Sequence, residues 1–347
     1  MKLLVCAMET SSNIHLKELK KYLSDDIELV GVFDKELGNP LYDLTALAIM
    51  GIVDALKKLR FFFKLRDELV ELARDCDKVL LMDSSGFNLP LAKKLRETYP
   101  NKEIIYYILP QAWAWKKGRV KKLEAYCSKL CSIIPFESEM YKDKEKITYV
   151  GHPLLDEITE FKQELSNTNK IAFMPGSRKT EITNLMPIFK ELIKHIPNKE
   201  YVLIIPSKFD DAYIKKIYGD ISQFSISRNA HQTLKDAEYA FICSGTATLE
   251  AALIGTPFTL SYIAKKIDFF IGNLFVKLNH VGLANIFFEK MGRNPLHSEF
   301  LQENVTVENL LNDYRNLDKK QFFENSKILR EYLKNGSSKM VAQIIKN

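Results

Sequence analysis

Short apolar runs rich in β-branched and aromatic residues recur along the chain, separated by stretches whose apolar positions follow helical spacing. In the first half the runs are KLLVCA (2–7), IELVGVF (27–33), KVLLMD (78–83), EIIYYIL (103–109) and CSIIPF (131–136). In the second they are KIAFMP (170–175), YVLIIP (201–206), FSIS (224–227), YAFICS (239–244) and FTLSYI (258–263). Strands alternating with helices predict parallel sheets covered on both faces, an α/β fold. At 347 residues the chain exceeds what one core usually organises. Two Rossmann-like, doubly wound domains facing across a cleft are therefore expected, residues 1–162 and 163–329. The polar stretch FKQELSNTNK (161–170) reads as a linker or short excursion, and a C-terminal helix over about 330–347 is expected to pack back on the first domain.

Two segments of the second half place a Gly- and hydroxyl-rich loop between a strand and a helical pattern. MPGSRKTE (174–181) precedes Ile182, Leu185, Met186, Phe189, Leu192, Ile193 and Ile196 at helical spacing, and CSGTATLE (243–250) precedes a helix that stops near Gly255 and Pro257. Gly176 or Gly245 allows a tight turn, and the free N–H groups of the next helix then present partial positive charge to an anion. Helix capping alone would explain either loop. Arg178, a bidentate phosphate partner, and Glu250, placed for a ribose hydroxyl, favour a nucleotide when the two loops are taken together.

Composition narrows the partners. The net charge of +6 is mildly basic, but no basic run with interleaved stacking aromatics or nucleic-acid module accompanies it, so phosphorylated small molecules or an anionic membrane surface fit better than nucleic acid. The five cysteines lack CxxC spacing and the six histidines lack HExxH spacing, so neither zinc nor a catalytic metal is indicated. The opening MKLLVCAMET reads as a strand and not as a signal peptide, and no apolar stretch approaches membrane-spanning length. A cytoplasmic protein is expected.

One stretch breaks the alternation. LTALAIMGIVDAL (44–56) is almost wholly apolar and continues as KKLRFFFKLR, with Lys57, Lys58, Arg60, Lys64 and Arg66 around Phe61, Phe62 and Phe63. A core helix running into an amphipathic one would look like this. So would a patch lying on a membrane with its cations at anionic headgroups.

The blocks MGIVDAL (50–56), MDSSGFNLPLA (82–92), YYILPQAWAWKKGRVKKL (106–123), IIPFESEMY (133–141), YVGHPLLD (149–156), MPGSRKTEI (174–182) and SGTATLEAAL (244–253), in this order, resemble the lipid-A-disaccharide synthases. The resemblance implies an inverting glycosyltransferase of GT-B type without a cofactor. It would join UDP-2,3-diacylglucosamine to 2,3-diacylglucosamine 1-phosphate, giving a β-1,6-linked disaccharide 1-phosphate, the precursor of lipid A, and UDP. The first domain would take the acceptor and the second the UDP-sugar. Acylated substrates imply peripheral association with the cytoplasmic face of the inner membrane, with Ile49, Ile52, Val53, Leu56 and Phe62 as contacts. A homodimer is compatible with it.

By the same resemblance Asp83 is the base or orients it, although an Asp there could equally cap the following helix. Arg178 and the N–H groups about Gly176 and Ser177, with Glu181, Ser244, Gly245 and Thr246, would hold the diphosphate as charge develops on it. Glu250 would take the ribose. Asn285 would sit near the nucleotide, where the residue alone reads as a turn. Glu9, Ser11, Asn13 and Asn88 are the acceptor-side candidates. Trp113 and Trp115 read as packing aromatics, His152 as hinge packing, and His15 as a weaker acid–base candidate.

The chain departs from the family pattern in its first loop, where Gly-Glu-x-Ser-Gly-Asp becomes Met8-Glu9-Thr10-Ser11-Ser12-Asn13. Without the glycines a different backbone path is expected, or Asn13 takes up the strain. Gly86 and Asp54 replace an aspartate and a glutamate. Another UDP-sugar enzyme of this architecture, an epimerase included, or a nucleotide-binding homologue without catalysis are the competing readings.

Overall fold

The computed structural model describes residues 1–43, 55–114, 117–165, 168–263 and 279–347. Two compact units divide the chain: Met1–Glu157 with Leu333–Asn347, and Ile158–Tyr332.

The first unit is built on β1 (Lys2–Ala7), β2 (Glu28–Phe33), β3 (Tyr42–Asp43), β4 (Lys78–Met82), β5 (Glu103–Tyr107), β6 (Lys129–Ser132) and β7 (Ile147–Tyr149), all parallel, in the order β3-β2-β1-β4-β5-β6-β7. Alternate side chains of a strand point to opposite faces, and each face here has its own core. Leu4, Cys6, Val79, Leu81, Ile104 and Tyr106 meet Leu65, Leu69, Leu89, Leu95, Val120 and Leu123 from the helices Ala55–Leu72, Ser85–Thr98 and Gly118–Tyr126. Leu3, Val5, Ala7, Leu80, Met82 and Ile105 meet Leu16 and Leu19 of helix Thr10–Lys20 and Val341, Ala342 and Ile345 of helix Ser337–Lys346. Continuous apolar runs are what a sheet buried on both faces requires.

The second unit repeats the scheme with β8 (Lys170–Met174), β9 (Glu200–Ile204), β10 (Ser225–Ser227), β11 (Tyr239–Cys243), β12 (Phe258–Tyr262) and β13 (Glu299–Leu301), parallel in the order β10-β9-β8-β11-β12-β13. Ile182, Leu185, Met186, Phe189 and Leu192 of helix Lys179–Leu192 lie against Ile171, Phe173, Tyr239 and Phe241, and the rings of Phe173 and Phe241 stack at 5.4 Å.

One local expectation is corrected. The strand expected over 131–136 is Lys129–Ser132; beyond it Pro135 has no N–H for a ladder, and the chain turns into a 3-10 helix at Glu137–Met140. Within the polar stretch at 161–170 Lys162 is buried, its N–H donating to Ile254 O and its ammonium to Ala237 O at 2.5 Å.

Besides its apolar packing, the start of the last helix is tied to the first unit by a carboxylate. Asp156 accepts from the N–H of Gly336 (2.6 Å) and of Ser338 (2.7 Å), satisfying donors that the start of a helix otherwise leaves open. Asp156→Ala is expected to lower the unit's stability by about 1–3 kcal/mol. Urea unfolding reads the loss, and hydrogen exchange should show it first in 337–346.

Candidate functional site

In an open parallel sheet the strand order reverses at one place, and loops leaving the carboxyl ends of the two strands there diverge to form a crevice. In the first unit that place lies between β1 and β4, whose registered pair Ala7 and Met82 puts the loops starting at Met8 and Asp83 side by side. A cavity of about 720 Å³ opens there, lined by Met8, Glu9, Asp83 and Ser84 on the loops, Phe87 and Pro90 on the next helix, and Leu59, Phe62, Phe63 and Arg66 on helix Ala55–Leu72. It is mostly apolar with two carboxylates.

Asp83 and Ser84 both lie in the left-handed region, φ +50° and +38°, a conformation that costs L-residues energy and is retained only where neighbours impose it. The neighbours are identifiable. Asp83 N–H donates to Tyr107 O (3.1 Å), and its carbonyl accepts from the Tyr106 hydroxyl (2.5 Å) and from Asn88 Nδ2 (3.0 Å). Ser84 donates to Glu9 Oε1 at 2.9 Å, tying the two loops. The helix begins after Ser84, which occupies the cap position. Burial raises the Asp83 carboxyl above its ordinary value, and the charge of Glu9 raises it further; the Ser84 amide and His15 pull it down.

The altered first loop needs no glycine. No residue from Met8 to Asn13 has positive φ; helix Thr10–Lys20 starts at once, and the strained backbone lies across the crevice at Asp83. Asn13 carries no strain and is a buried clamp: Nδ2 donates to Ala7 O and Glu9 O (both 2.8 Å), and Oδ1 accepts from Asp34 N–H (2.7 Å). Asn88, fully buried, donates to Met82 O and Asp83 O. Of the four acceptor-side candidates only Glu9 lines the cavity; Asn13 and Asn88 shape it, and Ser11 is half-buried at the helix start. His15 pairs closely with Glu157, and His152 is buried, neutral and pushed down to about 3 by desolvation. Trp113 packs edge-on against Phe136, while Trp115 lies outside the described residues.

In the second unit the reversal lies between β8 and β11, and a cavity of about 490 Å³ brings both Gly-hydroxyl loops together: Gly176, Ser177, Arg178 and Glu181 from one, Ser244, Gly245 and Thr246 from the other. Gly176 is required, since at φ +98° a Cβ would sit 2.4 Å from Glu181 Oε2. The expectation of open amides fails at this loop. Glu181 turns back so that Oε2 accepts from the N–H of Ser177 and of Arg178 (3.1 Å each), and Oε1 accepts from Arg178 Nη1 (2.8 Å). Glu181 is 8% exposed and Arg178 76%, so the carboxylate props a guanidinium that stands open to solvent. The other loop keeps its donors: nothing among the described residues accepts from the N–H of Thr246 or Ala247.

Two candidates are placed elsewhere. Asn285 is buried with its amide fully used, Nδ2 donating to His297 O and Glu299 Oε1, and Oδ1 accepting from Leu296 and His297 N–H. Glu250 faces His231 at 3.6 Å and does not line the cavity. Arg228 and the run Ile204 to Pro206, which do line it, were missed. They lie at or just beyond the ends of β9 and β10, and only the strand order, with β9 beside β8 and β10 beside β9, could have shown that they come near the loop after β8.

The family model for lipid-A-disaccharide synthetase matches residues 3–346. The lipid-A-disaccharide synthases of Helicobacter acinonychis and Campylobacter jejuni are each 47% identical to this chain, over 99% of it and 97% and 98% of their own lengths. The chain belongs to the lipid-A-disaccharide synthase family. Its class is accordingly that of a glycosyltransferase in lipid A biosynthesis. Solved structures agree on the GT-B architecture: S. aureus MnaA in its structure with UDP (TM-score 0.66, 13% identity, 99% of this chain and 96% of that one) and Acinetobacter baumannii MurG (0.58, 14%, 99% of each). At such identity these two speak for the fold alone.

For this synthase-family chain the raised Asp83 carboxyl has a thermodynamic signature. Ionisation is harder in the folded than in the unfolded chain, so the contribution of Asp83 to stability is full below its ordinary value of 3.8 and is lost as pH rises through the folded value. Asp83→Asn, which never ionises, is expected to be more stable than the unaltered protein at neutral pH, with the gain vanishing as the medium is acidified. Urea midpoints across that range check the sign; a loss of stability at neutral pH would contradict it.

Proposed function

We propose that the protein transfers a 2,3-diacylglucosaminyl group from UDP to the 6-hydroxyl of 2,3-diacylglucosamine 1-phosphate. The observation that carries this beyond family membership is a carboxyl of raised proton affinity at the rim of a largely apolar cavity, in the unit whose sheet reverses beside it. An acylated sugar needs such a wall, and its hydroxyl needs a base. Asp83 takes the hydroxyl proton as the acceptor oxygen bonds to C1 of the donor; the bond from C1 to the β-phosphate oxygen breaks, and its electron pair leaves with UDP. Inversion at C1 follows from a single displacement. Arg178 and the open amides of Thr246 and Ala247 are the groups we assign to the charge growing on the diphosphate.

Incubation with both acylated sugars, with and without EDTA, and mass spectrometry for disaccharide 1-phosphate and UDP test the reaction directly. Asp83→Ala is expected to lower turnover by about 100-fold or more while UDP affinity stays within about twofold. Arg178→Ala should weaken UDP binding by about tenfold or more. UDP binding by the unaltered protein without any transfer would instead favour a non-catalytic homologue.

We further propose that the protein lies on the inner membrane's cytoplasmic face. Among the described residues no helix is long and apolar enough to cross a bilayer. Ile49, Ile52 and Val53 fall outside the described residues, and Leu56 is in the first turn of helix Ala55–Leu72, where the first side chains are also outside them. Phe62 is turned inward, its ring 5.9 Å from Phe87 and 5.8 Å from Phe61. Among the described side chains of this helix, Leu59 (53% exposed) and Phe63 (50%) are the large apolar ones presented to solvent, beside Arg60 and Lys64. Leu59→Ser with Phe63→Ser is expected to weaken sedimentation with anionic vesicles about tenfold at unchanged thermal stability. Loss of soluble, folded protein would make the pair a core element.

A further inference from the structure

We infer that Arg66 recognises the phosphate of the acceptor, so that the first unit's cavity selects an anionic acyl sugar over a neutral one; this rests on the transfer proposed above. Arg66 shares the cavity with Asp83, and among the described residues lining it Arg66 is the one cation. The other charges there are the carboxylates Glu9 and Asp83. A phosphate dianion entering a cavity with two carboxylates and apolar walls is repelled unless a cation faces it, and the apolar surroundings strengthen both effects.

The acceptor carries its reacting hydroxyl and its phosphate on different carbons of one pyranose. The cavity likewise carries its carboxylates on the loops after β1 and β4 and its guanidinium on a separate element, the helix Ala55–Leu72. Among the described lining residues, a sugar seated with its hydroxyl at Asp83 has one cationic group, Arg66, to offer its phosphate to.

The guanidinium is held ready for this. Nε (3.0 Å) and Nη2 (2.7 Å) both donate to Asp67 Oδ1, and the Phe63 ring lies 5.2 Å from the guanidinium carbon. These contacts fix its plane and leave Nη1 with no partner among the described residues. Asp67 is 59% exposed while Arg66 is 24% exposed, so the pair is screened by water and gives way to a phosphate that can accept from two N–H groups.

The test compares 2,3-diacylglucosamine 1-phosphate with the same acylated sugar lacking the phosphate, in mixed micelles of fixed composition, by UDP release. The unaltered protein should prefer the phosphorylated acceptor in kcat/KM. Arg66→Ala should lower kcat/KM for it about 10- to 100-fold, mostly through KM, and leave the neutral acceptor within about twofold. Arg66→Lys should restore part of the preference, and UDP affinity should be unchanged in both variants. Equal use of the two acceptors by the unaltered protein, or a parallel fall for both in Arg66→Ala, overturns the assignment. If the unaltered protein forms no disaccharide from either, the proposed reaction itself has failed.

Discussion

The pairing of β1 with β4, and of β8 with β11, is the contact on which both candidate sites depend. Parallel strands joined by right-handed crossovers can spread to only one side at a time. Once the chain has laid down β2 and β3 on one side of β1, it must return to the other side for β4, and the loops on either side of that return part company. The crevice is thus a by-product of chain handedness and needs no special residues. What sequence adds is the chemistry at its edges: an acid pair and aromatics in the first unit, glycines, hydroxyls and arginine in the second.

The two loops of the second unit solve one problem differently. A helix start carries partial positive charge and unsatisfied donors, and something must meet them. After β8 the chain meets them itself, since Glu181 takes two amides and steadies Arg178. With the carboxylate buried and held by three donors, a ligand would not displace it. The loop's offering is therefore an oriented, solvent-facing guanidinium in place of bare amides. After β11 no carboxylate turns back, and Thr248 Oγ1 bonds to Gly245 O, leaving the first amides unclaimed. Both kinds of donor then line the same cavity.

Legibility in the sequence followed the range of the interaction. Strand and helix identity is set by local periodicity, so the alternation and the face of helix Lys179–Leu192 could be read directly. Both Gly-hydroxyl loops were legible for the same reason: a glycine at positive φ and a capping helix are local events. Asn285 was not, because whether an amide faces a ligand or ties Leu296 and Glu299 together depends on partners 11 and 14 residues away. The inward turn of Phe62 depends on Phe87, on another helix. Arg228 enters the cavity only through strand order. The missing glycines of the first loop invited a search for strain at Asn13, whereas the strain lies at Asp83 and Ser84, 70 or more residues away in sequence.

The strain at Asp83 bears on the base role proposed for it. A carboxylate in ordinary solvent is too weak a base to take a hydroxyl proton with any advantage, and raising its proton affinity requires burial or a neighbouring negative charge. Asp83 has both, and each is destabilising. Two consecutive left-handed residues add a further cost of order 1–3 kcal/mol each. The structure can hold such a turn because everything around it is over-determined: Tyr106, Tyr107 and Asn88 fix the backbone of Asp83 from three directions, and the Ser84 hydroxyl bonds to the same Glu9 whose charge raises the carboxyl. Removing any one of these would leave the strain with fewer contacts to oppose it, and the turn would relax toward the unstrained form. The raised proton affinity on which the proposed base role rests depends on that burial and on the neighbouring Glu9. The buried Asn88, Tyr106 and Tyr107 belong to the chemistry proposed for the cavity for this reason, although none of them lines it.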